Sequence, residues 1–252
     1  MIILFDIGNT HTHIGLADAH RVVRHTDIRT EEWVEGSAKK RVSKFAGGKH
    51  LSGAILCSVV PRATPYVLNV VRDLCSLSCV QLTHKNVTGI GIDYPKPRTI
   101  GADRLANSVA AKHHFGAPVV VVDFGTAVTF DVVNRAGDYV GGIIAPGLAA
   151  MTDYLHEKTA LLPRIRVREV RRVVGKSTQE AMLIGAVKGY RGLVRELILE
   201  LRRELKVSRL PVVATGGYAD LIGSRLPEIV AIEPELTLEG LRLSWENVRR
   251  EA

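Results

Sequence analysis

The stretch LFDIGNTHTHIGLAD, which runs from Leu4 to Asp18, predicts a buried strand that ends on an acid and turns tightly into a second strand. The apolar runs Ile2–Phe5 and His13–Ala17 supply the two strands, and Gly8 begins the turn. A tight turn needs glycine or asparagine, but it does not need a carboxylate before it. The presence of Asp6 therefore points to a function beyond turn formation.

The same pattern recurs in the middle of the chain, as VVVVDFGTAVTFDVV from Val119 to Val133. The offset between the copies is 117 residues, since 123 − 6 = 117 and 125 − 8 = 117. Three pairs match at this offset: Asp6 with Asp123, Gly8 with Gly125, and Thr12 with Thr129. A repeat of about half the chain predicts an α/β protein of two similar lobes, residues 1–116 and 117–252. Because ligands of open α/β folds bind beyond the carboxyl ends of strands, both acids are expected to face a cleft between the lobes.

Hydrophobic periodicity predicts further elements along the chain. Strands are expected at Ala54–Val60, Cys79–Leu82, Val119–Val122, Val128–Val133, Arg164–Val174 and Val212–Ala214, the fifth with a basic, half-exposed face. Helices are expected at Glu31–Phe45, Thr64–Cys75, Ala102–His114, Leu148–Lys158, Ser177–Lys206 and Ala219–Arg225. Glycine and proline between Val87 and Thr99 predict a loop.

The composition is that of an ordinary globular protein. Of 252 residues, 46% are hydrophobic and 24% charged, and Lys plus Arg exceed Asp plus Glu by 34 − 26 = 8. The positive charges are spread along the chain, which favours anionic metabolites or solubility over a nucleic-acid surface. Three cysteines without a CxxC pair indicate a reducing cytoplasm. We expect no signal peptide and no membrane span, since Asp6 interrupts the first apolar run and no other run is long enough.

The two acid-ended turns have the composition of metal–phosphate sites. Glycine lets backbone amides approach a ligand closely, and amides and hydroxyls together bind anions. A carboxylate beside phosphate needs a cation between them, and Mg²⁺ is commonly held by one or two carboxylates with phosphate oxygens. Asp6 beside Asn9 and Thr10 fits this description. The structural alternative is an Asp that only caps the turn, and the second copy of the pattern weighs against it.

The segment TIGADRLANSVAAKHH, from Thr99 to His114, contains a second candidate acid. Asp103 and Arg104 lie in the first turn of the predicted helix. An acid there stabilises the helix N-terminus, so Asp103 could be no more than a cap. Arg104 opposes the helix dipole, which suggests that it binds an anion or an acidic partner. A carboxylate within reach of a substrate hydroxyl can also accept its proton during phosphoryl transfer.

Other motifs are weaker. Thr215-Gly216-Gly217 could admit a flat ligand such as a nucleoside, and Gly141–Gly147 could be ordinary loop punctuation. His11 and His13 have the spacing of a metal pair in a strand, but solvated or phosphate-facing histidines are the preferred interpretation. The chain has no Walker P-loop.

Taken in order, the motifs DIGNT, GADR, DFGTAVTFD, GGIIAPG, GKST and TGG resemble those of type III pantothenate kinases, from Asp6 to about Leu241. That family belongs to the acetate and sugar kinase/Hsp70/actin superfamily. The resemblance implies an actin-like ATPase fold with two ribonuclease H-like lobes, and a homodimer. It also implies ATP-dependent phosphorylation of pantothenate to 4′-phosphopantothenate, the first step of coenzyme A biosynthesis.

The resemblance also implies roles for individual residues. Asp103 would be the general base, and Asp6 would organise Mg²⁺. Asp123 would hold a monovalent cation, potassium or ammonium. The residues implied in ATP binding are Asp6, Ile7, Gly8, Asn9, Thr10, His11, Thr12, His13, Thr126, Gly216 and Gly217. Those implied in pantothenate binding are Tyr94, Gly101, Ala102, Asp103, Arg104 and Thr178, the last reaching across the dimer interface.

Two alternatives remain open at this point. One is another phosphotransferase on the same scaffold, such as a sugar kinase, because the fold alone does not separate them. The other is a non-catalytic nucleotide-binding regulator. The net charge of +8 supports the regulator, whereas intact Asp6, Asp103 and Asp123 weigh against it.

Overall fold

A computed structural model of the chain describes residues 1–75 and 79–251. In chain order the strands are β1 (Ile2–Ile7), β2 (His11–Ala17), β3 (Val22–Arg29), β4 (Gly53–Ser58), β5 (Cys79–Gln81), β6 (Gly91–Ile92), β7 (Val119–Phe124), β8 (Ala127–Val133), β9 (Asp138–Pro146), β10 (Val212–Thr215) and β11 (Ala231–Ile232). The helices are α1 (Glu31–Glu35), α2 (Ala38–Ala46), α3 (Thr64–Cys75), α4 (Ala102–Phe115), α5 (Leu148–Lys158), α6 (Thr178–Ile184), α7 (Tyr190–Glu204), α8 (Ala219–Gly223) and α9 (Leu236–Glu251).

The chain divides into two compact units. Unit 1 comprises residues 1–116, 137–140 and 235–252, and unit 2 comprises residues 117–136 and 141–234. The predicted lobes place the boundary at the same point near Gly116. They differ from the units in assigning 137–140 and the C-terminal segment to the second half. The C-terminal segment forms α9, which packs on α4 in unit 1.

The first sheet has five strands, in the order β3-β2-β1-β4-β5, and the second has six, in the order β11-β10-β7-β8-β9-β6. Without β6, the order β9-β8-β7-β10-β11 repeats that of the first sheet, since both run third, second, first, fourth and fifth strand along the chain. In each case the first strand is antiparallel to the second and parallel to the fourth. The internal repeat of the sequence is therefore a repeat of topology. The short strand β6 pairs with the first residues of β9, which belong to unit 1.

The alternation of side chains along β1 decides which way Asp6 points. Ile3 and Phe5 pack with residues of α1, α2 and α3 on one face of the sheet. Ile2 and Leu4 pack on the other face, with residues of α4 and α9. Because successive side chains alternate in a strand, Asp6 lies on the face covered by α4. The side chain of Asp6 therefore points to the side of the sheet on which α4 packs.

The predicted equivalence of Thr12 and Thr129 in the repeat is wrong. Thr12 pairs with Ile7 in the first hairpin, whereas Thr129 pairs with Asp123 in the second, so the two threonines are not equivalent. The cause is the turn, which has three residues between β1 and β2 and two between β7 and β8. A shift of one residue moves a side chain to the other face of a strand.

Several predicted elements also differ from the structure. The helix expected over Glu31–Phe45 is broken at Gly36, whose φ of +83° ends α1. The helix expected over Ser177–Lys206 contains a π-helical segment at Gly185–Gly189. The basic segment Arg164–Val174 forms no strand. Ile165 is buried between exposed arginines, whereas Val173 and Val174 are exposed, and Glu169 is bonded to Arg191 through side chains. In the parts of the chain that are described, no helix is both long enough and apolar enough to cross a membrane.

Candidate active site

The β1–β2 turn has the tight geometry that its sequence predicts. The Gly8 N–H donates to the carbonyl of His11 at 3.0 Å, and a Cβ on Gly8 would lie 3.0 Å from that same oxygen. Asn9, Thr10 and His11 are exposed. The turn therefore presents its polar residues to solvent at the carboxyl end of β1, where a phosphate group can be bound.

Three residues of the predicted ATP-binding stretch have side chains that are committed elsewhere. Ile7 is fully buried in the core, so only its backbone is available to a ligand. Thr12 is also fully buried, and its hydroxyl accepts a hydrogen bond from Trp33 Nε1 at 3.0 Å. His13 Nδ1 lies 2.7 Å from Asp27 Oδ1 on the exposed surface of β2 and β3.

Asp6 is paired with Cys57 on the neighbouring parallel strand β4. The Cys57 thiol donates a hydrogen bond of 3.3 Å to Asp6 Oδ1. Burial raises the pKa of this thiol well above its usual value, and the negative charges of Asp6 and Asp103 raise it further. The thiol therefore keeps its proton at neutral pH. Two carboxylates, Asp6 and Asp103, act on this one buried group.

Asp103 lies at the start of α4. The helix begins after Gly101, and a Cβ on that glycine would collide with Asp103 Oδ1. The Arg104 N–H donates to the same oxygen at 2.8 Å. Burial raises the pKa of the Asp103 carboxyl, and the hydrogen bond and positive charge of Arg104 only partly oppose this. A partly desolvated carboxylate with a raised pKa is a suitable proton acceptor.

The side chains of Tyr94 and Arg104 meet at a residue that the sequence did not single out, Tyr139. The rings of Tyr94 and Tyr139 pack edge to face with centroids 6.0 Å apart. The Arg104 guanidinium lies 5.8 Å from the centre of the Tyr139 ring, within the range of a cation–π interaction. Tyr139 is buried, whereas Tyr94 and Arg104 are half-buried. Tyr139 lies in no motif of the sequence. It belongs to unit 1 through the short segment 137–140, and no local pattern predicts that assignment.

In unit 2, Asp123 is the last residue but one of β7, as Asp6 is of β1. It pairs with Thr215 on the parallel strand β10, and Gly216 follows at a φ of +89°. A Cβ on Gly216 would lie 2.5 Å from Asp123 Oδ1 and 2.7 Å from the backbone nitrogen of Phe124. Glycine is therefore needed here both for the backbone conformation and for the space beside the carboxylate.

The remaining predicted residues of unit 2 are exposed. Thr126 lies in the β7–β8 turn, and Gly217 follows Gly216. Thr178 is the first residue of α6, directly after Ser177, which caps the helix by accepting the Glu180 N–H at 3.2 Å. The Glu180 carboxylate in turn accepts the Lys176 N–H at 2.7 Å. This reciprocal cap holds Thr178 in a defined position at a helix N-terminus.

The structure therefore groups the predicted residues by unit. Unit 1 contains the stretch from Asp6 to His13 together with Tyr94 and Gly101–Arg104, and unit 2 contains Asp123, Thr126, Thr178, Gly216 and Gly217. No three His, Cys, Asp or Glu side chains of the described residues group as a metal site. Asp6, which lies beside the polar turn at the carboxyl end of β1, nevertheless fits Mg²⁺, which can use a single carboxylate and complete its shell with phosphate oxygens and water. Glycine at position 216 keeps side-chain atoms away from the Asp123 carboxylate.

Comparison with known proteins shows the family to which the chain belongs. The sequence model of the family described as type III pantothenate kinase matches residues 2–200. A type III pantothenate kinase of Akkermansia muciniphila is 47% identical over 243 residues, which are 96% of this chain and 97% of the relative. One of Methylacidiphilum infernorum is 43% identical over 249 residues, covering 97% of this chain and 88% of the relative.

Solved structures similar to this chain support the fold. A Campylobacter jejuni protein named for the Baf family of transcriptional activators has a TM-score of 0.59 at 16% identity, over 98% of this chain and 99% of that one. A ROK family glucokinase of Streptomyces griseus, in complex with glucose and AMPPNP, has a TM-score of 0.53 at 12% identity, over 99% of both chains. At these identities the likeness shows the fold alone, which is that of sugar kinases and actin-like ATPases with two ribonuclease H-like lobes.

Proposed function

Because the chain belongs to the type III pantothenate kinase family, and is thus an enzyme, we propose that it transfers the γ-phosphoryl group of ATP to the terminal hydroxyl of pantothenate. The product would be 4′-phosphopantothenate, and the reaction the first step of coenzyme A biosynthesis. One observation carries the mechanistic part of this proposal. It is the half-buried Asp103, whose pKa is raised by burial and which lies at the helix start that carries GADR.

Asp103 is proposed as the general base. As the hydroxyl oxygen of pantothenate attacks the γ-phosphorus, its proton passes to the Asp103 carboxylate, and ADP leaves with the electrons of the broken P–O bond. A raised pKa makes Asp103 a better proton acceptor than an exposed aspartate. The backbone N–H of Arg104, bonded to Oδ1, fixes the orientation of the carboxylate.

The β1–β2 turn is proposed to bind the ATP phosphates. The exposed residues Asn9, Thr10 and His11 would contact phosphate directly, whereas Ile7 and Thr12 would contribute only their backbone. Asp6 would hold Mg²⁺. When bound, the ion would neutralise charge on the phosphate oxygens. In unit 2, the ATP-binding residues carried over from the family are Thr126, Gly216 and Gly217.

Pantothenate is proposed to contact the residues around Tyr139. Its carboxylate requires a cation, and Arg104 is held in place by the Tyr139 ring. Tyr94 packs against the same ring and supplies both an apolar surface and a hydroxyl. Gly101 and Ala102 bring the backbone close to the acceptor at the start of α4. Asp123 is proposed to hold a potassium or ammonium ion.

We further propose a homodimer in which Thr178 reaches the partner's pantothenate. Unit 2 exposes several large apolar side chains, and α5 alone exposes Met151, Tyr154 and Leu155, with Tyr154 at 61%. Apolar exposure of this extent on one helix is typical of a surface that binds another protein. The reciprocal cap at Ser177 and Glu180 gives Thr178 the rigidity that such a contribution requires.

A coupled assay of ADP release tests the proposed function. The protein is incubated with Mg·ATP and pantothenate, then with glucose or N-acetylmannosamine as alternative acceptors, each in potassium and in sodium. ADP that appears only with pantothenate, and faster in potassium, is the expected result. ADP that appears with a sugar instead would assign the chain a different acceptor. Equal rates in both salts would remove the monovalent cation from the proposal.

A further inference from the structure

A row of three buried side chains lies directly behind the β1–β2 turn. Trp33 Nε1 donates to Thr12 Oγ1 at 3.0 Å, and the hydroxyls of Thr12 and Thr30 are 3.0 Å apart. Thr30 Oγ1 donates to the carbonyl of Gly8 at 2.6 Å. The three side chains belong to residues that are at most 2% exposed. We call Trp33, Thr12 and Thr30 the buried relay.

The direction of every hydrogen bond in the relay follows by elimination. An indole N–H can only donate, and a carbonyl oxygen can only accept. Thr30 has a single hydroxyl proton, which goes to the Gly8 carbonyl. Thr12 must therefore be the donor in the contact between the two hydroxyls. Each hydroxyl accepts one bond and donates one, and all three bonds point towards the turn. Bonds in such a row polarise and strengthen one another.

Thr30 holds the turn at a second point. Its backbone N–H donates to the carbonyl of Thr10 at 3.0 Å. A single residue thus binds the carbonyl oxygens of both Gly8 and Thr10. These are the first and last residues of the three-residue turn between β1 and β2. Carbonyl oxygens repel phosphate, and here two of them are bound by the protein itself.

We propose that Thr30 is a positioning residue for ATP, and that the buried relay fixes the conformation of the Gly8–Thr10 turn before the nucleotide binds. The inference rests on the proposed function, in which this turn binds the phosphates. It gives Thr12 a supporting role in place of a ligand-contacting one. It also assigns a role to Thr30 and Trp33, which no sequence motif marks. A preformed turn costs less ordering on binding, so loss of the relay weakens ATP binding without affecting the acceptor.

The test compares Thr30→Val with Thr30→Ser and with Thr26→Val. Valine has the shape of threonine but no hydroxyl, and serine keeps the hydroxyl. Thr26 is half-buried in β3, outside the relay, and provides the matched control. We expect Thr30→Val to raise the Kd for Mg·ATP, measured by calorimetry without acceptor, by about tenfold. The KM for pantothenate should not change, and both Thr30→Ser and Thr26→Val should bind ATP as the wild type does. Unchanged ATP affinity in a folded Thr30→Val variant would overturn the proposal.

Trp33→Phe provides a second variant should Thr30→Val fail to fold. It removes only the first donor and keeps an aromatic ring, so we expect a smaller loss of ATP affinity. An ATP affinity equal to that of the wild type in Trp33→Phe would contradict the role of the relay. The chain has two tryptophans, and the Trp33 indole N–H can be followed by NMR. In Thr12→Val it should exchange faster with solvent, because its acceptor is lost.

These measurements separate the relay from the identity of the acceptor. A wild-type protein that binds ATP tightly and phosphorylates no pantothenate, with weakened binding in Thr30→Val, would support the relay and contradict the proposed acceptor. A wild type that phosphorylates pantothenate, with unaltered ATP binding in all relay variants, would support the proposed acceptor and contradict the relay.

Discussion

The thiol of Cys57 donates a hydrogen bond of 3.3 Å to Oδ1 of Asp6, from the strand that runs parallel to β1. Because burial raises the pKa of the thiol, it remains a donor at neutral pH. Unit 2 has Thr215 in the equivalent place beside Asp123. In both units, therefore, the acid near the end of the strand has a buried residue with a short polar side chain as its neighbour on the parallel strand.

Removal of the thiol is expected to disturb the Mg²⁺ requirement. Cys57→Ala deletes the donor to Asp6, whereas Cys57→Ser retains one. We expect Cys57→Ala to need several-fold more Mg²⁺ for half-maximal activity, since the carboxylate proposed to hold the ion loses its hydrogen-bond donor. Cys57→Ser should raise the Mg²⁺ concentration for half-maximal activity by less than Cys57→Ala does. A titration of rate against Mg²⁺ checks this, and identical curves for Cys57→Ala and the wild type would contradict it.

Asp103→Asn separates catalysis from folding. Loss of the proton acceptor should reduce kcat by roughly a hundredfold or more. Binding of Mg·ATP should persist, because Asp6 and the β1–β2 turn are unchanged. Thermal stability should not fall, because the change removes a charge whose burial is unfavourable. Asp220→Asn, an exposed acid in α8, is the control and should retain full activity. Near-normal turnover in a folded Asp103→Asn variant would exclude Asp103 as the base.

The pH dependence of the wild type follows from the same group. Only ionised Asp103 can accept a proton, so kcat should fall as the pH drops through its raised pKa. The acid limb should therefore lie at a higher pH than an ordinary aspartate would give. Stability changes in the opposite sense. Ionisation is more costly in the folded state, so the contribution of Asp103 to stability is retained below the ordinary aspartate pKa and lost as the pH rises through the folded value. A pH–rate profile of Asp103→Asn checks this, because its residual activity should lose the acid limb.

Two adjacent glycines provide a matched test of the Asp123 site. Gly216→Ala places a Cβ 2.5 Å from Asp123 Oδ1 at a backbone φ of +89°, whereas Gly217→Ala meets nothing within 4 Å. We expect Gly216→Ala to lose roughly 1 kcal/mol or more of stability and to displace the carboxylate. The potassium dependence of the rate should weaken in Gly216→Ala and remain in Gly217→Ala. Equal potassium responses in both variants would place the cation elsewhere.

Arg104 is expected to act on the acceptor and not on ATP. Arg104→Lys keeps the charge but loses the planar group that lies over Tyr139. The KM for pantothenate should rise by about tenfold, with little change in the KM for ATP. Arg98→Lys, at an exposed position in the preceding loop, is the control. A rise in the KM for ATP alone would contradict the assignment.

The sequence predicted the two acid-ended strands because their signals are local: an apolar run, an acid, a glycine and a polar turn. It could not predict the partners of those residues. Trp33 and Thr30 reach Thr12 and Gly8 across the hairpin, and Cys57 reaches Asp6 only after β4 has paired with β1. Such contacts depend on strand register, which no local pattern specifies.

Misassigned elements have similar physical causes. Thr129 matched Thr12 by spacing alone, and a turn one residue shorter moved it to a different register position. The alternation of Arg164–Val174 predicts a strand with a basic face, and only the exposure of its arginines agrees with that prediction. A strand also needs a neighbour to pair with, and side-chain bonds through Glu169 take that place. The C-terminal helix α9, amphipathic and packed on α4, was not predicted, since it lies outside both copies of the repeat.

The central claim is transfer of phosphate to the terminal hydroxyl of pantothenate, and proton-coupled ³¹P NMR of the reaction mixture tests it most directly. We predict a phosphomonoester signal split by the two protons of the adjacent carbon, which forms with pantothenate and ATP and does not form with Asp103→Asn. A mixture that yields only ADP and inorganic phosphate, or a phosphate ester only with another acceptor, would contradict the account.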